Sequence, residues 1–189
     1  AANGFADQGE VVIKARQAAD LLGATKMDRP EWLAIDQRSG WVYCTLTNNS
    51  SRGKPGQPGV DAANPRAYMD LDGIKSSGNP NGHIIRFRES DQKATAKTFS
   101  WDIFLFGAEE DMVDANLSGL TAKNDFSSPD GLWFSKTTGI CWIQTDDGAI
   151  TGEVANQLLA AIPGRVGDGG ARTITSTSGT TTKDQQTFI

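Results

Sequence analysis

Histidine occurs once in the 189 residues and cysteine twice. One histidine cannot build a zinc site of the usual kind, and two cysteines cannot frame a disulfide-stapled domain of this length. Cys44 and Cys141 each lie inside an apolar, strand-like run, where a buried free thiol is expected. No stretch approaches the about 18 consecutive apolar residues of a membrane span. No charged n-region followed by an apolar h-region opens the chain, so an export signal is expected to have been removed or never present. Basic residues are outnumbered, and the net charge of −5 excludes nucleic acid or an anionic membrane as the main partner. Large apolar residues are scarce as well. Leu, Ile, Val and Phe total 38, about 20% and the level at which burying a core becomes difficult. A loop-rich or incomplete domain is therefore expected. Walker, Rossmann, G-x-S-x-G and H-E-x-x-H patterns are absent too.

What is present reads as mostly β-structure. Residues 9–22 carry Val11, Val12, Ala15, Ala18, Ala19 and Leu22 at helical spacing, with Gly23 as a stop. Short runs rich in Ile, Val, Thr and aromatics follow at 33–36, 41–47, 83–89, 98–106, 133–134 and 140–145, and read as strands. The stretch 48–82 is full of Gly, Pro, Asn and Ser, and a loop of that length is expected to be functional or disordered. Eight of the ten residues from Thr173 to Thr182 are Ser or Thr. Residues 164–187 are therefore expected to form a flexible loop, although the β-branched threonines also permit an exposed strand.

An internal repeat organises the rest. The run from Arg29 to Asn49 aligns without a gap on the run from Ser128 to Gly148, so that Pro30 meets Pro129, Glu31 meets Asp130, Leu33 meets Leu132 and Gly40 meets Gly139. Each unit is a proline–carboxylate entry, a strand, a turn ending in glycine, a second strand and a polar pair. An antiparallel hairpin brings the entry carboxylate beside the exit pair. Strands 83–89 and 98–106 complete a four-stranded meander with the first copy, the pattern of a β-propeller blade. The fold expected is all-β: a first blade over 29–106 and the start of a second over 128–148.

Glu31, Asp130, Asp146 and Asp147, with Asn48 and Asn49, make an oxygen-rich set of the kind Ca²⁺ selects. Pro-Asp-Gly and Asp-Asp-Gly are equally ordinary turn sequences, and one residue of each exit pair is expected to be a turn former. Arg29 beside the acidic entry, and Arg66 in the long loop, suit a phosphate because the guanidinium fork binds two oxygens; surface pairing is the alternative for both. His83 opens a strand and is expected to be a strand-end hydrogen bonder. Trp32, Trp41, Trp101 and Trp142 are expected to fill space between sheets.

Lys26-Met-Asp-Arg-Pro-Glu-Trp32, Thr45-Leu-Thr-Asn-Asn49, Asn64-Pro-Arg66, Gly82-His-Ile-Ile-Arg-Phe-Arg-Glu89, Phe126-Ser-Ser-Pro-Asp-Gly-Leu-Trp133 and Trp142-Ile-Gln-Thr-Asp146 stand in the order seen in PhoX-type alkaline phosphatases. The resemblance covers about 11–148. It implies a six-bladed propeller, of which this chain holds about one and a half blades, exported to the periplasm or beyond. It also implies a phosphatase that hydrolyses small phosphate monoesters with calcium and iron. By the same resemblance Glu31, Asp130 and Asp146 are metal ligands, to which the oxygen-rich set adds Asn49, and Arg29 or Arg66 steadies the phosphate. The iron-binding cysteine of the family has no counterpart in Cys44 or Cys141. A ring fragment is also expected to meet a second copy or a complementing chain at its open blade edges. Two other functions remain open from the residues: a calcium-dependent lactonase-type propeller, and a non-catalytic propeller piece.

Overall fold

A computed structural model describes residues 3–70, 76–147 and 156–164, together with the backbone of Arg172–Ser176 and Gly179–Lys183. The N-terminal helix is two helices, α1 (Gln8–Ile13) and α2 (Ala15–Leu21), broken at Lys14, where φ is −100° and ψ 35°. Asp7 caps α1 by accepting the Glu10 N–H at 2.8 Å. At the other end Gly23, at φ +66°, donates to Asp20 C=O while Ala24 N–H reaches Ala19 C=O, a Schellman closure. The glycine stop is where the sequence puts it. The apolar stripe, however, is not a core face: neither helix has a buried residue, and Ile13 and Leu22 are largely exposed.

The first blade is an antiparallel meander of β1 (Pro30–Ile35), β2 (Val42–Leu46), β5 (His83–Glu89) and β6 (Phe99–Phe106). Between β2 and β5 the long loop carries a small hairpin, β3 (Tyr68–Asp70) with β4 (Ser76–Gly78). The second blade has β7 (Pro129–Phe134), β8 (Cys141–Thr145) and a third strand, β9 (Leu158–Ala161), beyond the hairpin read from sequence. The Thr/Ser tract, expected as a flexible loop, contains a hairpin of β10 (Arg172–Ser176) and β11 (Gly179–Lys183). β11 lies parallel beside β6, so the outer edge of the first blade is partly covered.

The repeat holds down to register. Pro30 pairs with Leu46 as Pro129 does with Thr145, and Leu33 with Cys44 as Leu132 does with Ile143. A bulge falls between Pro30 and Leu33 and again between Pro129 and Leu132. Both turns close with a glycine at φ +74°, whose N–H bonds the carbonyl four residues back (Asp36 or Ser135) at 2.8 Å. Positive φ is required there, which is why both copies spell glycine.

The core lies between the two blades. Tyr43, Ile84 and Phe104 of the first pack with Leu132, Phe134 and Ile143 of the second, and Tyr43 and Phe134 stand 4.8 Å apart between ring centroids. Cys44 and Cys141 are free and buried, as expected. Burial pushes both thiols up, Cys44 to about 11, so neither is a reactive thiolate.

Candidate functional site

The two repeat hairpins present their entry residues at one mouth. Arg29 and Ser128, each preceding the proline, sit at φ 52° and 54°. Non-glycine residues rarely adopt that conformation. It is held by Thr47 N–H on Arg29 C=O at 3.2 Å and by Asp146 N–H on Ser128 C=O at 2.9 Å. Backbone strain repeated at equivalent positions, two residues before Glu31 and Asp130, is what functional sites retain.

Three polar bridges tie the hairpin ends together. Arg29 Nη1 donates to Asn48 Oδ1 at 2.9 Å, and Asn48 Nδ2 donates to Ser128 Oγ at 3.0 Å. The buried Thr45 hydroxyl accepts Trp32 N–H at 3.0 Å and donates to Asp130 C=O at 2.7 Å. Arg29 Nη2 stands 3.8 Å from Glu31 Oε1. Partial burial, and then the Glu31 and Asp146 carboxylates, raise Asp130 above the ordinary carboxylate range, opposed by Arg29. Glu31, Asp130, Asp146 and Arg29 therefore share one electrostatic environment. Beside them opens a cleft of about 590 Å³ lined by Trp32, Asp130, Gln144, Asp146, Asn156 and Leu158, among others.

Other candidates lie elsewhere. Arg66 is 5% exposed, and its Nη1 donates to Gly107 and Ala115 carbonyls while Nη2 donates to Asn79 Oδ1 and Gly82 C=O. With those donors held by the protein, it ties the long loop to the blade. Asn49 is likewise committed, with Nδ2 on Asp28 Oδ1 at 2.8 Å and Oδ1 on Ser51 N–H at 2.9 Å. Asp147 is buried, and its N–H donates to Asn156 Oδ1. Trp32, expected to be packing, is 54% exposed.

A buried network missing from the sequence reading fixes the base of the mouth. Asp28, with no exposed surface, accepts Arg52 Nε at 2.8 Å, and Arg52 Nη2 lies 2.7 Å from the same oxygen. Asp28 Oδ2 accepts Asn79 Nδ2 at 3.0 Å. Arg52 also reaches Lys26 and Gly59 carbonyls, so the part of the 48–82 loop around it is an anchored structure. Asp28 lies just before the Arg-Pro-Glu entry, but its partner is 24 residues away and no local spacing announces it.

His83 closes this network as the strand-end hydrogen bonder expected. A carbonyl can only accept, so Nε2–H donates to Ala63 C=O at 2.7 Å and Nδ1 accepts from Asn79 Nδ2 at 3.0 Å. Burial, followed by the Arg66 charge, pushes the imidazole down to about 4 from 6.5. Between those two values the unfolded chain takes up a proton that the folded chain refuses. This group is therefore expected to cost about 1.4 kcal/mol of stability per pH unit as pH falls through that window. Urea unfolding of the wild type and His83→Gln across the window should show that difference in slope; parallel curves would contradict it.

A model of the family Alkaline phosphatase PhoX matches residues 1–188. Among solved structures, Pseudomonas fluorescens PhoX in complex with vanadate, a transition state analogue, is similar at a TM-score of 0.68 and 42% sequence identity. The similarity covers 84% of this chain and 27% of that one, so the chain spans much less than the relative's full length. No curated protein matches the chain. With the repeated blade hairpins and their shared acidic mouth, these matches establish that the chain belongs to the PhoX family of alkaline phosphatases.

Proposed function

We propose that this chain supplies the cation- and phosphate-binding hairpin ends of a metal-dependent phosphatase acting on small phosphate monoesters. The observation that carries it is the electrostatic coupling of Asp130 to Glu31, Asp146 and Arg29 at one mouth, built twice from the same strained entry. All-oxygen carboxylate donors fit a hard cation such as Ca²⁺. Among the described residues no three His, Cys, Asp or Glu side chains form a ready-made cage, so the carboxylates are spread around the mouth. Glu31, Asp130 and Asp146 would hold the cation. When bound, it would neutralise charge developing on the phosphoryl oxygens.

The chain's own residues orient the ester. Arg29, exposed on one side and hydrogen-bonded to Asn48 on the other, presents the rest of its fork to phosphate oxygens. Asn48 and Ser128 hold it at a fixed height above the second hairpin. Asn49 and Arg66 are left out because the Asn49 amide and both Arg66 Nη atoms are held by the protein and Arg66 is buried. The iron implied by the resemblance finds no thiol here, since both cysteines are buried in strands, and no role is drawn through it. By its family we place the protein in the periplasm or outside the cell; no helix among the described residues is long and apolar enough to cross a membrane.

The chain is expected to bind inorganic phosphate only with calcium present and to release it on chelation. Arg29→Ala should weaken phosphate binding about tenfold or more, the loss of a charge-assisted pair. Lactone hydrolysis without any phosphate binding would support the lactonase alternative instead.

A further inference from the structure

We infer that the cleft beside Asp130 and Asp146 is the subsite for the alcohol half of the ester, with Trp32 as a stacking platform for an aromatic or nucleoside leaving group. This rests on the phosphatase function proposed above. The two hairpins repeat in register, yet the equivalent positions at the cleft differ in the extreme: Trp32 in the first copy, Gly131 in the second. Both line the same cleft. The tryptophan lines one side, and the glycine on the other makes room for the Gln144 side chain. A Cβ at Gly131 would lie 2.5 Å from Gln144 Oε1, a clash that any larger side chain at this position would have to displace.

The Trp32 backbone is fixed: its amide N–H is held by the buried Thr45 hydroxyl, which donates in turn to the Asp130 backbone carbonyl. The main chains that carry the indole and the carboxylate are thereby linked through one oxygen, while the indole itself is 54% exposed. A phosphate bound through a cation at Asp130 and Asp146 would have its ester oxygen at the edge of the cleft, since both residues also line it. The volume of about 590 Å³ falls within the range of about 300–1,000 Å³ typical of small-ligand sites. Leu158 adds apolar surface, and the exposed Gln144 and Asn156 add amides for hydroxyls or ring nitrogens. A flat aromatic group fits that lining; a small aliphatic alcohol leaves the indole face in water.

Two measurements test this. Adenosine, which carries no phosphate, is titrated into the isotope-labelled chain without metal while the indole N–H signals are followed by NMR. The Trp32 signal is expected to move saturably, and the binding to be lost in Trp32→Ala and retained in Trp32→Phe. In the calcium-loaded chain, the affinity ratio of phenyl phosphate to glycerol phosphate should fall about five- to tenfold in Trp32→Ala and little in Trp32→Phe. Adenosine binding at Trp32 without calcium-dependent phosphate binding would uphold the subsite and sink the phosphatase function. A Trp32 signal unmoved by adenosine, or an affinity ratio unchanged in a folded Trp32→Ala chain, would overturn the subsite.

Discussion

Replacing Arg52 with alanine is expected to lower the unfolding free energy by about 3–5 kcal/mol, a large part of what holds a typical domain folded. The reason lies in what the substitution leaves behind. Asp28 is fully buried, and its Oδ1 loses Arg52 while keeping only the Asn49 amide. The attraction within a buried pair is largely offset by the cost of taking both charges out of water, but removing one partner leaves the second charge uncompensated. Arg52 also donates to Gly59 and Lys26 carbonyls, which would lose their partner together with the ion pair. Asp28→Asn should cost less than Arg52→Ala, because the amide oxygen still accepts and Asp61 stands 3.5 Å from Arg52 Nη1. Urea unfolding followed by tryptophan fluorescence measures both. An Arg52→Ala chain within 1 kcal/mol of wild type, on the order of a surface substitution, would show the network to be dispensable.

The blade strands were legible in the sequence because local signals agree there. β-branched and aromatic runs, turn glycines and the gapless repeat all point to the same hairpins, and the observed pairing follows the alignment residue for residue. The third strand of the second blade was not, since Leu158-Leu-Ala-Ala161 is a short apolar run without alternation. Trp32 was misplaced for a different reason. β1 is exposed along nearly its whole length, Leu33 and Ile35 included, so a large apolar residue type does not mark a packed face there. Arg66 misled in the opposite direction: its residue type suits phosphate, but only burial and partners show that its guanidinium is already engaged. Long-range polar pairs such as Asp28 with Arg52 leave no periodic trace at all.

Glu31→Gln carries the second large effect. It keeps the shape of the side chain and removes one of the three carboxylate charges at the mouth. Calcium affinity at oxygen sites follows ligand charge count, and Arg29, standing 3.8 Å away, would then face the mouth with less compensation. Calcium binding is expected to weaken about tenfold or more. Asp130 should respond as well. Glu31 is the leading charge raising it, so Glu31→Gln is expected to bring the Asp130 carboxyl back down toward the ordinary range. Carbon-detected NMR of the aspartate carboxyls reads that shift without metal and without substrate.

The central claim is that two copies of one hairpin hold a cation jointly. Calorimetric titration of calcium into the wild type, Glu31→Gln, Asp130→Asn and the double variant tests it most directly. Each single substitution should weaken binding, and the double should lose less than the sum of the two free-energy losses, because both side chains serve one ion. Unchanged affinity in either single variant, or losses that simply add, would mean that the two hairpin ends do not share a site.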